Sequence, residues 1–86
     1  MVTAVQAQLV VAAYKMGMDP DAVSPLLGIT YEQFFAISRD WLRKGDSWNP
    51  EASSLRAGFV HEYMDFDEIE ETMDLTDKQL DEIIIG

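Results

Sequence analysis

Cysteine is absent from this chain, and histidine occurs once, at His61. Without thiols there is no disulfide staple, no zinc–cysteine site and no cysteine nucleophile, which fits a reducing interior and leads us to expect a cytoplasmic location. A single histidine and no serine in a nucleophile setting leave nothing from which to assemble a catalytic triad, so no enzyme is expected. Apolar runs are short as well. The longest, Leu9 to Tyr14, is far too short to cross a bilayer, and no basic stretch leading into an apolar run opens the chain, so no membrane partner is expected. Basic residues are the other scarcity: 6 Lys and Arg stand against 16 Asp and Glu, for a net charge of −10, which argues against general nucleic-acid binding. Asp65-Phe66-Asp67 has the beginning of a calcium loop, but Glu70 stands where the sharp turn needs glycine. Neither metal nor cofactor is expected.

What is present is apolar enough to fold, at 48% hydrophobic residues. The 86 residues make one domain by size, and each half alone would be too small to hold a core, so the halves should pack together. The stretch Met18 to Ile37 is echoed without a gap by Met64 to Ile83. Identity holds at Met18/Met64, Asp19/Asp65, Asp21/Asp67, Thr30/Thr76, Gln33/Gln79 and Ile37/Ile83, and apolar character at Val23/Ile69, Leu27/Met73, Ile29/Leu75 and Phe34/Leu80. We therefore expect an all-α fold of about six short helices, arranged as two similar three-helix units (1–44 and 50–86) joined by a linker at 45–49.

Local signals place the helices. Thr3 with Gln6, Thr30 with Gln33 and Thr76 with Gln79 each have the spacing of a capping box, and Asp65 with Glu68 is a fourth candidate. Asp19-Pro20 and Asn49-Pro50 read as cap and first helical residue. Pro25 predicts a kink or a restart in the second helix, and Gly28 a left-handed reversal into the third, with Asp74 in the matching place of the second unit. The spacing predicts inward faces of Val5, Leu9, Ala12 and Ala13 for helix 1, and of Phe34, Ile37 and Trp41, widened by Phe35 and Leu42, for helix 3. For helix 4 it predicts Leu55, Phe59, Val60 and Tyr63, and for helix 6 Leu80, Ile83 and Ile84. Gly17 should stop helix 1 between two core methionines, Met16 and Met18.

Val23, Ser24, Leu27, Gly28, Ile29, Phe34 and Ile37 together resemble the helix-turn-helix motif, with apolar, small and glycine residues where that family wants them. The second unit resembles it with the glycine replaced. The resemblance implies that early exposed residues of the second motif helix read bases. Gln33 would then meet an adenine edge, with Arg39 and Arg43 on phosphates. In the second unit Asp77, Lys78, Asp81 and Glu82 fall at those places, and carboxylates repel phosphate.

Charge is divided along the chain. Residues 1–56 carry five basic and six acidic side chains, whereas residues 57–86 carry Lys78 against ten acids. Glu70, Glu71, Asp74, Asp77, Asp81 and Glu82 therefore make a candidate face for a protein partner with a basic surface, and Tyr31 and Trp48 are candidate contact anchors. The concrete expectation is an inhibitor or regulator of a nucleic-acid-handling machine, similar to small acidic viral inhibitors whose carboxylates imitate phosphates. The alternative is a DNA-binding regulator that uses the first unit.

Overall fold

Six helices follow one another in the computed structural model, which describes residues 1–85 without the side chains of residues 84 and 85. They are α1 (Ala4–Lys15), α2 (Pro20–Leu27), α3 (Tyr31–Lys44), α4 (Pro50–Ala57), α5 (Phe66–Asp74) and α6 (Asp77–Ile85), with a 3₁₀ turn (Gly45–Ser47) between α3 and α4. The fold is all-α. Each helix starts where short-range hydrogen bonding can satisfy its first amides. Thr3 Oγ1 accepts from the Gln6 amide while Gln6 Oε1 accepts from the Thr3 amide, and the same reciprocal pair recurs at Thr30/Gln33 and Thr76/Gln79. Asp19, Asn49 and Asp65 accept amide hydrogens from the first turns of α2, α4 and α5. Gly28, at φ +73°, closes α2 and reverses the chain into α3.

The third helix is the axis of the core. Phe34 and Ile37 join Ala7, Val10, Val11 and Ala13 of α1, Val23 of α2 and Ala57 of α4 in one cluster, against which Trp41 and Trp48 pack. Ala36 belongs to a second cluster with Val60, Ile69 and Met73. At about 3.6 residues per turn, Ala36, Arg39 and Arg43 lie half a turn round from Phe34, Ile37 and Trp41. Hence α1 and α5 occupy opposite flanks of α3, while α4 touches α1, α3 and α5. A buried charge accompanies this double use of α3. Asp40, 1% exposed, faces the Lys44 ammonium at 2.7 Å, one helical turn on, in an ion pair that is not aligned as a hydrogen bond.

Several expected faces are corrected. In α1 only Ala13 of the predicted set is buried. Val5 and Leu9 are 64% and 48% exposed and Ala12 is exposed, while Ala7, Val10 and Val11 face inward. The helix is apolar round nearly its whole circumference, so periodicity does not choose a side, and packing against α3 and α4 does. Met16 and Met18 are likewise exposed. In α4 the helix ends at Ala57, and Ser53, Ser54, Arg56 and Ala57 point inward while Leu55 is exposed; Val60 is buried beyond the helix end. Close approach of α4 to α1 admits small side chains there and excludes a leucine. Tyr63 is 93% exposed at φ +71°, opposite to its predicted inward place. Asp74 is helical, and the chain turns instead through Leu75 in extended geometry. Leu42 and Ile83 are exposed, Leu80 is buried, and Ile84 lies outside the described side chains. α2 runs unbroken through Pro25. Its missing bond would have gone to the carbonyl of Asp21, an exposed residue whose carbonyl solvent can serve.

Candidate functional site

Helices α3 and α5 bring the two sets of sequence candidates into contact with one another. Arg39 Nη2 donates to Glu70 Oε1 at 2.7 Å, and Arg43 pairs with Asp74 one turn further on. Both partners advance by four residues, so the two helices run in the same direction and the pairs form a ladder along their seam. Arg39 also lies over the Phe35 ring (5.8 Å), which stacks on Phe66 with centroids 4.7 Å apart. The hydrogen bond to Asp74 raises the Arg43 pKa above its ordinary value, helped by the charges of Asp74, Asp40 and Glu70 and opposed by slight burial.

Of the remaining acids, Asp77 is held by one buried arginine. Arg56 Nε donates to the Leu75 carbonyl at 2.6 Å, and its Nη2 reaches Asp77 Oδ1 at 3.1 Å. This side chain of α4 therefore holds the corner between α5 and α6 through two charge-assisted bonds. Beside it lies an open groove of about 250 Å³ between α4 and α6, lined by Asn49, Glu51, Ala52, Leu55, Asp77, Leu80 and Asp81. Ala52, Leu55 and Leu80 supply apolar surface, and Glu51, Asp77 and Asp81 place carboxylates around it. On α5, Asp67, Glu71 and Asp74 recur at helical spacing on the side opposite buried Ile69 and Met73. Glu82 is exposed on α6. Among the described residues, Asp67, Glu71, Asp81 and Glu82 take part in no ion pair.

Glu51, Leu55 and Arg56 are the site residues that sequence reasoning missed. Glu51 lies in the half where acids and bases nearly balance, the spacing assigns Leu55 to the core, and nothing in the local pattern of Arg56 points to Leu75 or Asp77. The other candidates are placed as follows. Gln33 accepts from the Thr30 amide through Oε1 (3.0 Å) and donates to the Val60 carbonyl through Nε2 (3.2 Å), so both ends of its amide are engaged within the chain. Tyr31 is exposed at an open groove shared with Asp21, Glu32, Glu62 and Tyr63. Trp48 is half-buried against the first core cluster. Of the positions that carry the helix-turn-helix resemblance, Val23, Ser24, Ile29, Phe34 and Ile37 are buried and Leu27 is half-buried.

Among the described residues no group of three or more His, Asp or Glu is arranged to hold a metal ion, and no helix is long and apolar enough to cross a membrane. Comparison with protein-family models, with curated proteins and with solved structures finds no match to this chain.

Proposed function

We propose that this protein is a non-enzymatic interaction module that binds a protein partner through its acidic second half, with the α4–α6 groove receiving a basic, amphipathic segment. The observation that carries the reading is the composition of that groove, which Ala52, Leu55 and Leu80 line together with Glu51, Asp77 and Asp81. Apolar anchors supply affinity in such a groove, while carboxylates steer the encounter and select a basic partner. The carboxylates of α5 extend the same charge beyond it. A regulator or inhibitor of a nucleic-acid-handling machine, with these carboxylates in the place of phosphates, is the concrete form.

The test is fluorescence anisotropy of a labelled amphipathic peptide of lysine and leucine, titrated with the full chain at low salt. Binding is expected to weaken with added salt and to fall at least about tenfold in Glu51→Lys/Asp81→Lys, which leaves the Arg56–Asp77 bond in place. Asp21→Lys/Glu32→Lys, an equal change of net charge outside the groove, should leave it intact. Unchanged affinity in the groove variant, or equal loss in both, rejects the reading. DNA contact through the first unit is the alternative, and it requires Arg39 and Arg43 to leave Glu70 and Asp74. A labelled duplex titrated at low salt is expected not to bind. Clear binding lost in Arg39→Ala and Arg43→Ala would install the alternative instead.

A further inference from the structure

The exposed side of α1 carries an apolar stripe of its own, flanked by Gln8 and Lys15. Val5, Leu9, Ala12 and Met16 recur at intervals of four, three and four residues, so they form one stripe along the helix, opposite Ala7, Val10 and Val11. Met16 is 77% exposed, more than Val5 or Leu9. Near the start of α1 lies an open groove of about 290 Å³ lined by Met1, Val2, Ser54, Leu55, Gly58 and Phe59. A contiguous apolar patch on the surface of a folded domain marks an interaction surface.

We infer that a second copy of this chain covers this stripe, docked antiparallel about a two-fold axis that passes between Val10 and Val11. Charge is the first reason. α1 contains no acidic residue, and its one charged side chain, Lys15, lies with its ammonium 5.0 Å over the Trp41 ring of α3 in the same chain. Neither an acidic nor a basic partner finds a counter-charge here, whereas another uncharged stripe does not need one. The chain as a whole repels itself at −10. Its acids are concentrated on α5 and α6, and α5 lies across α3 from α1. Contact between two α1 outer faces therefore keeps the two α5 helices apart, where salt screens them over about 8–10 Å. The second reason is self-complementarity. An isologous contact requires that residue i meet residue j while j meets i. Reversing the stripe upon itself sets Val5 against Met16 of the second copy and Leu9 against Ala12 of the second copy. Each large side chain then opposes a smaller one, which lets the helix axes approach to roughly 8–10 Å. The inference stands independently of the acidic groove.

Sedimentation equilibrium of the full chain, from about 1 μM to about 1 mM, tests it across the range of weak association. The expected result is a mass that climbs from monomer to dimer. Leu9→Glu should weaken the dimer at least about tenfold with helicity unchanged by circular dichroism. Leu26→Glu, at a more exposed leucine of α2, should not. Met16→Lys serves as the second variant should Leu9→Glu unfold the chain. Mixing Leu9→Glu with Ala12→Lys should restore association, because only the antiparallel register places those two positions together. A wild type that stays monomeric throughout overturns the inference, whatever other protein covers the stripe. So does a dimer indifferent to both stripe variants, and a mixture that associates no better than its components overturns the register.

Discussion

Tyr63 holds a left-handed backbone with its side chain in solvent. A non-glycine residue there costs roughly 1–2 kcal/mol, and an exposed ring returns little through packing. Tyr63→Gly is therefore expected to stabilise the fold by up to about 1 kcal/mol, the larger unfolded-state entropy of glycine removing part of the gain. Urea unfolding measures it, and a loss of stability would show that the ring makes contacts that matter. The position 46 residues earlier is Gly17, at φ +72°. The two positions thus share a positive φ although their side chains differ. Arg56 presents the opposite case, a side chain whose place depends on its bonds. Lysine cannot supply both the Nε and the Nη2 donors, so Arg56→Lys is expected to lose about 1.5–3 kcal/mol. Amide hydrogen exchange should locate the loss at the α5–α6 corner, with α6 losing protection more than α1.

Among the elements, α3 and α5 are joined by pairs that look stronger than they are. Arg39–Glu70 and Arg43–Asp74 lie at the surface, where screening and side-chain entropy limit an ion pair to about 0.2–1 kcal/mol. A double-mutant cycle on Arg39→Ala and Glu70→Ala should give a coupling energy in that range, shrinking in high salt. A coupling above about 2 kcal/mol would mean that the ladder is desolvated in solution. Helix starts were legible in the sequence because a capping box is closed by residues three apart. The face of α1 was not legible, since Val5 and Leu9 have the same chemistry as Val10 and Val11. In α4 the spacing points Leu55 to the core, whereas Ser53, Ser54 and Ala57 occupy it. Close packing against α1 decides this, because serine and alanine fit where leucine does not.

For the whole molecule, the decisive feature is that both core clusters draw on α3. Trp41 and Trp48 lie with the first cluster, while Met73 lies in the second. Met73→Ala should cost about 2–5 kcal/mol by transfer and cavity terms. If α3 couples the clusters, tryptophan fluorescence and far-UV circular dichroism will report the same lowered midpoint. Separate transitions would show that the α5 side can open while the α1 side holds. The candidate groove also belongs to this scale, since Glu51 and Asp81 are thirty residues apart and line one groove only because α6 lies beside α4.

By itself the sequence determined what is closed over three or four residues. The helical class, the caps at Thr3, Asp19, Thr30, Asn49, Asp65 and Thr76, the Gly28 reversal and the uneven distribution of charge are of this kind. Tertiary structure decided which side of α1 and α4 is covered, that Arg39 and Arg43 meet Glu70 and Asp74, and that Glu51 joins Asp77 and Asp81. Local hydrogen bonds depend only on neighbouring residues. Burial and ion pairing across about thirty residues depend on which surfaces can approach closely, and side-chain volume at the contact settles that only once the helices are packed.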